Sequence, residues 1–260
     1  MKISIITLFP KMISGFFEES IIKRAMEKKL VEIEIVNLRD FAVDDYGTVD
    51  DRPYGGGAGM VLRVDVIYKA LLKVKSEKLT VKNISQNSKV LLTSPKGKIF
   101  DQKKAQEHSR LDHLIIIAGH YEDIDARVLD YVDEEISLGD FIMTGGEITA
   151  SAIVDSIVRL IPGVLKKDKA TEIESYFDIP IERLIDIVGK DKYLTKLIVG
   201  KSKTVKLLEY PQYTRPEIFE NKKVPEVLLS GNHKKIEDWQ IKKAYEETIK
   251  KRPDLLDINK

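Results

Sequence analysis

Short β-branched runs alternate with helix-spaced apolar positions along the first 160 residues of the chain. Ile3 to Phe9, Val31 to Asn37, Val90 to Thr93, Leu114 to Ala118 and Glu135 to Leu138 read as strands. Between them Ile21 to Lys29, Val64 to Lys75, Phe100 to Ser109 and Ile124 to Tyr131 carry helical spacing, and a further helix is expected from Glu147 to about Leu160. Strands and helices in this alternation predict an α/β domain built on a mostly parallel sheet. In the last helix Ser151, Asp155 and Arg159 recur every four residues and share a face, while Ile153, Ile157 and Leu160 point elsewhere.

After Pro162-Gly163 the pattern breaks into Lys166-Lys167-Asp168-Lys169, read as an exposed linker. The C-terminal part reads as small and helical, with Asn232 to Lys251 as its main amphipathic stretch and Arg252-Pro253 as the stop. The expected organisation is therefore an α/β domain over 1–165, a linker region over 166–206 and a helical domain over 207–260.

Composition narrows the class. With 260 residues, 43% hydrophobic and 33% charged, the chain can bury a sizeable core and remain soluble. It has no cysteine, which excludes disulfides, a thiol nucleophile and Cys-ligated zinc, and fits a reducing cytoplasm. No apolar run reaches the length of a membrane span, and the strand-like opening lacks the cleavage site of a signal peptide. A net charge of +1 argues against indiscriminate coating of nucleic acid. The last 60 residues nevertheless carry 14 Lys and Arg against 10 Asp and Glu, a mildly basic C-terminal part suited to phosphates. The four histidines show no metal-ligand spacing and read as surface or turn residues.

Candidate chemistry gathers at the strand ends. Pro10-Lys11 follows the first strand where a dinucleotide fingerprint would need glycine, and Gly55-Gly56-Gly57-Ala58-Gly59 lacks the Lys-Ser/Thr of a P-loop. Thr93-Ser94-Pro95, Gly119-His120-Tyr121-Glu122 and Ser137-Leu138-Gly139-Asp140-Phe141-Ile142-Met143-Thr144-Gly145-Gly146 are three turns after three strands. In open α/β sheets such turns converge on one ligand site, and small residues with an apolar patch suit a nucleoside held by main-chain groups.

These turns, together with Asp50-Asp51-Arg52-Pro53-Tyr54-Gly55-Gly56-Gly57-Ala58-Gly59-Met60 and Tyr210-Pro211-Gln212-Tyr213-Thr214-Arg215-Pro216, resemble the bacterial tRNA (guanine-N1-)-methyltransferase family, TrmD, from Ile3 to about Leu256. The resemblance implies a deep trefoil knot of the SPOUT superfamily and a small helical C-terminal domain. It implies an obligate homodimer with shared active sites, and methylation of the guanine N1 immediately 3′ of a tRNA anticodon, position 37. S-adenosylmethionine would be the donor, held by Leu92, Thr93, Ser94, Pro95, Gly119, Tyr121, Glu122, Ser137, Leu138, Gly139, Asp140, Phe141, Ile142, Met143, Gly145 and Gly146. Magnesium is an implied requirement, with no metal ligands identifiable in the chain. Asp51, Arg52, Gly57, Gly59, Arg159, Ser175, Tyr213 and Arg215 would face tRNA. The family's catalytic arginine falls on Arg159 and its general base on Glu174.

Three departures from the family accompany this match. The base position holds Glu174 in place of aspartate, leaving Glu172 and Asp178 as alternatives; Asp123 stands where glycine is usual, and Tyr46 where histidine is common. For Arg159 a local pair with Asp155 is the competing role. About 180–204 is an insertion, patterned as a short helix from Ile179 to Gly189 and then rich in lysine, which reads either as a tolerated surface insertion or as a basic element facing tRNA. The competing functions are a catalytically impaired tRNA-binding paralogue on the same scaffold and a related methyltransferase acting on another RNA.

Overall fold

A computed structural model describes residues 1–76, 87–165 and 174–257. The chain divides into two compact units, Met1–Lys167 and Asp168–Lys260. In chain order the first contains β1 (Lys2–Thr7), α1 (Ser14–Phe17), α2 (Ser20–Glu27), β2 (Glu32–Asn37), β3 (Asp50–Asp51), β4 (Val61–Leu62), α3 (Val64–Ser76), β5 (Ser88–Ile99), α4 (Gln102–His108), β6 (His113–Ala118), β7 (Asp123–Ile124), β8 (Glu134–Ser137) and α5 (Glu147–Val158). The second contains β9 (Phe177–Pro180), α6 (Ile181–Val188), α7 (Lys192–Val199), β10 (Thr204–Leu207), β11 (Ile218–Phe219), β12 (Lys222–Lys223), α8 (Glu226–Leu229) and α9 (His233–Lys251).

Five strands of the first unit form one sheet in the order β2-β1-β6-β5-β8, with every pairing parallel. Because successive side chains point to opposite faces, each central strand feeds two cores. Ile3, Ile5, Leu114, Ile116 and Leu91 pack with Ile22 of α2, Ala105 of α4 and Ile153, Val154 and Ile157 of α5. Ile6, Ile115, Ile117, Val90 and Leu92 pack on the other face against Val66, Ile67, Ala70, Leu71 and Val74 of α3. A sheet covered on both faces explains why β6 is buried at every position.

The strands expected from sequence are present, with one extension. β5 does not stop at Thr93: it loops out, then rejoins β8 at Lys98 and Ile99, so the Ser-Pro turn is an excursion within one strand. Gly97 permits this, since a Cβ there would lie 2.4 Å from the Ile136 nitrogen. Ile124 to Tyr131 is not an α-helix. Asp123–Ile124 pairs with β4, and only Ala126–Tyr131 turns, as a 3-10 helix begun by the Asp125 side chain accepting from the Arg127 N–H.

Two histidines are not at the surface. His108, at the end of α4, and His113, at the start of β6, are each 1% exposed. His113 Nε2 lies 2.9 Å from the Ser4 hydroxyl, which donates to Glu34, so a polar pair survives inside the sheet because each member has a partner. His233 is exposed and His120 half-buried.

The second unit corrects the reading of the insertion. β9 and β10 pair antiparallel, and α6 and α7 lie between them in sequence. Ile179, Ile181, Leu184, Leu194, Leu197 and Val205 are buried with Ile241, Ala244 and Tyr245 of α9. The segment therefore supplies much of that unit's core and is more than a surface addition. Asp191 caps α7 through the N–H groups of Tyr193 and Leu194 and accepts from the buried Tyr245 hydroxyl at 2.7 Å, fastening the inserted helix to α9. Glu226–Leu229 forms the short helical turn α8, capped at its start by Pro225. The expected linker, Lys166 to Lys169, lies outside the described residues.

Candidate active site

The three turns meet. Thr93, Ser94 and Pro95 from β5, Gly119, His120, Tyr121 and Glu122 after β6, and Ser137, Leu138, Gly139, Phe141, Ile142, Met143, Gly145 and Gly146 after β8 line one cleft of about 420 Å³ at the carboxyl edge of the sheet. That volume suits a small-molecule ligand. Leu92 and Asp140 do not line it: Leu92 is buried in the α3-side core, while Asp140 is exposed in the β8–α5 turn. His120, Asp123, Ile124, Ile136, Thr144 and Thr149 line it as well. Sequence reasoning passed over them because their place depends on how the turns fold back, although His120 and Thr144 stood inside the segments singled out.

The glycines of the third turn serve protein packing. A Cβ on Gly145 would lie 2.3 Å from His120 Nδ1 and 2.4 Å from Glu147 Oε2, and one on Gly146 would lie 1.9 Å from Thr93 Oγ1 and 2.9 Å from the Gly119 nitrogen. Their absence lets the three turns knit together. The Gly146 N–H donates to Gly119 O at 2.7 Å, the Gly119 N–H donates to Thr93 Oγ1 at 3.2 Å, and that hydroxyl donates to Ile117 O. Behind them Glu147 is fully buried, accepting from the Thr7 hydroxyl at 2.9 Å and lying 3.3 Å from His120 Nδ1. Gly139, at φ +158°, takes a backbone conformation that side chains rarely adopt, and the Ser137 hydroxyl accepts its N–H.

Around the mouth, Tyr121 is left-handed at φ +65°. Burial and a hydrogen bond to Asp50 push its hydroxyl above the ordinary tyrosine range. Asp123, the departure from glycine, pairs with Lys96 at 2.5 Å, joining the β5 excursion to the turn after β6. The lysine is raised by that contact. Tyr46 is 93% exposed.

The glycine-rich loop forms the tip between β3 and β4. Gly55, Gly56, Gly57 and Gly59 all have positive φ, and a Cβ on Gly59 would lie 2.2 Å from Glu122 Cγ, so this loop rests directly on a side chain of the cleft. Asp51 lies 3.6 Å from Arg63 and accepts the Arg52 N–H. Arg159 is half-buried immediately after α5, in the first unit, whereas Glu174 and Ser175 belong to the second. Asp178, the alternative base, sits in β9 opposite Lys206 and pairs with it at 3.1 Å. Glu172 lies outside the described residues. Tyr213 and Arg215 are exposed, and the Tyr213 ring is 6.3 Å from that of Trp239, which sequence reasoning missed. Among the described residues no three His, Asp or Glu side chains form a metal-holding group, so no step is assigned to magnesium.

The family described as tRNA (Guanine-1)-methyltransferase TrmD matches residues 1–258. A protein of Dictyoglomus turgidum named tRNA (guanine-N(1)-)-methyltransferase is 45% identical over 257 residues, 99% of this chain and 90% of that protein. Same-named proteins of Geobacter sp. strain M21 and Carboxydothermus hydrogenoformans are each 46% identical, over 258 and 259 residues, 99% of this chain and 90% and 88% of theirs. With the match running from end to end, this chain belongs to the tRNA (guanine-1)-methyltransferase TrmD family.

Proposed function

We propose that the chain methylates N1 of the guanine immediately 3′ of the anticodon, position 37, in tRNA, with S-adenosylmethionine as donor. The observation that carries this reading is the cleft of about 420 Å³ enclosed by three strand-end turns in a chain of this family. Its apolar wall, Ile136, Leu138, Phe141 and Met143, suits a flat ring. S-adenosylmethionine supplies an activated methyl group on a sulfonium centre.

Guanine N1 carries a proton and becomes an effective nucleophile only as that proton leaves. Glu174 is proposed as the base that takes it and Arg159 as the cation that stabilises the negative charge growing on O6. Asp178, one of the alternative bases, is paired with Lys206. Asp51, Arg52, Gly57 and Gly59 near the cleft, and Ser175, Tyr213 and Arg215 in the second unit, are proposed as tRNA contacts. Tyr213 and Arg215 offer a stacking face and a phosphate-binding fork.

The knot belongs to this proposal, as do a homodimer with shared active sites and a cytoplasmic setting. In support of the dimer, Met12 and Phe16 after β1, Phe141 and Ile142 after β8, and Ile148 in the first turn of α5 expose large apolar surface at one end of the sheet, Ile142 at 82%. In keeping with a soluble setting, no helix among the described residues is long and apolar enough to cross a membrane.

Single-turnover methyl transfer to undermodified tRNA tests the base assignment. Glu174→Gln is expected to slow transfer by about 100-fold while leaving tRNA affinity near the parent's. A parental rate in Glu174→Gln, with Asp178→Asn or Glu172→Gln inactive, moves the base to the other residue.

A further inference from the structure

The turn that carries Glu174 is held in a conformation its own sequence does not favour. Tyr176 has φ +77°, a left-handed backbone that bulky side chains avoid. Such outliers persist where the surroundings over-determine them, and they cluster at functional sites. Here the surroundings are specific. The Phe177 N–H closes the turn onto Glu174 O at 3.0 Å, and the Tyr176 N–H donates to Leu207 O at 2.7 Å. The Ser175 hydroxyl accepts the Glu209 N–H at 3.1 Å, and the buried Thr248 hydroxyl accepts the Leu208 N–H at 2.8 Å. Leu207 at the end of β10 and Glu209 beyond it thus hold the turn, and Leu208 between them is bonded to α9.

One side chain acts on the strained residue itself. Arg252, immediately after α9, places its guanidinium 6.0 Å from the Tyr176 ring centroid and donates from Nη1 to the Tyr176 hydroxyl at 3.3 Å. Its other edge is fixed by a two-point bond to Asp254, 2.8 Å at each contact. The arginine is therefore a rigid plate, braced from behind, over the ring of the left-handed tyrosine.

We propose that Tyr176 and Arg252 are positioning residues for methyl transfer, holding the left-handed turn that sets where the Glu174 side chain leaves the backbone. The inference rests on Glu174 being the base. A glutamate reaches one methylene further than an aspartate, so the setting of this turn decides where its carboxylate lies. Misplacement of a reacting group by about 1 Å costs on the order of 100-fold in rate, so a turn released from its clamp loses turnover without losing substrate.

The test reads single-turnover rate beside the dissociation constants for tRNA and S-adenosylmethionine, in full-length proteins with near-parental melting temperatures. Tyr176→Gly suits the backbone but removes the ring, and Arg252→Gln removes the plate. Each is expected to slow transfer about 10-fold or more with both affinities within about 2-fold. Arg252→Lys, which keeps a cation over the ring, should recover part of the loss. In a Glu174→Gln background Tyr176→Gly should slow the reaction no further, because it acts only through the missing base. A parental rate in Tyr176→Gly beside an impaired Glu174→Gln overturns the positioning role alone, as does a double variant slowed by the full product. A parental rate in Glu174→Gln overturns the base assignment instead.

Discussion

Alanine at Gly146 would be the smallest change that forces the three turns apart. Gly146 has φ −87°, which any residue adopts, so its substitution carries a steric cost without a backbone one. The new Cβ would lie 1.9 Å from Thr93 Oγ1, 3.0 Å from Thr93 Cβ and 2.9 Å from the Gly119 nitrogen. The threonine hydroxyl can swing away only by giving up its bonds to Ile117 O and to the Gly119 N–H, at about 1–3 kcal/mol for the donor left unmet. The Gly119 backbone and Thr93 Cβ cannot swing, and overpacking of this kind adds about 1–3 kcal/mol. A total of about 2–6 kcal/mol corresponds to a fall in melting temperature of roughly 4–24 °C for a unit of this size. Displaced turns should also weaken S-adenosylmethionine binding by calorimetry, tenfold for each ~1.4 kcal/mol. Thr93→Ala removes the closest atom, so Gly146→Ala with Thr93→Ala should be less damaged than the sum of the single changes. A folded Gly146→Ala protein with parental melting temperature and affinity would refute the packing explanation of this glycine.

Further outcomes are expected. Burial, with Lys89 and Lys104 nearby, lowers the His108 pKa from 6.5 to about 4, so the folded protein favours neutral imidazole and stability falls as pH drops from about 6.5 towards 4. Between about pH 7.5 and pH 5 this costs on the order of 2 kcal/mol, and urea unfolding of His108→Leu should show a pH dependence flatter by that amount. Leu184→Ala, at a fully buried site of the inserted module, should destabilise by about 2–5 kcal/mol; a change below ~0.5 kcal/mol would return the module to the status of a surface addition. Arg159→Lys keeps a positive charge but not the planar fork, and should lower the transfer rate with tRNA affinity little altered.

How far the sequence speaks depends on what holds each part. β1 and β6 could be read from their β-branched runs, because a strand buried on both faces needs apolar residues at nearly every position, and the edge strand β2 from the alternation of Ile33 and Ile35 with Glu32 and Glu34. The β5 excursion was hidden, since its return to β8 rests on Gly97 passing another strand's backbone, a contact remote in sequence. The burial of His108 and His113 is likewise tertiary: each sits at an element end where pattern predicts surface, and His113 is sheltered only because Ser4 and Glu34 stand across the sheet. The three turns were visible as glycine and serine punctuation, and they do meet in one cleft. The reason for Gly145 and Gly146 was not visible, because Thr93, His120 and Glu147 are the neighbours they make room for. In the insertion the alternation of Leu184, Leu194 and Leu197 with charged residues carried a core signal, masked by the surrounding lysines.

Guanine N1 methylation 3′ of the anticodon is decided by the identity of the modified nucleoside. Purified protein is incubated with labelled S-adenosylmethionine and two tRNA transcripts that differ only in carrying guanosine or adenosine immediately 3′ of the anticodon, and the digested nucleosides are identified by mass. Labelled 1-methylguanosine is expected from the guanosine transcript alone. Label in another nucleoside, label in both transcripts, or no label from a folded protein would contradict it.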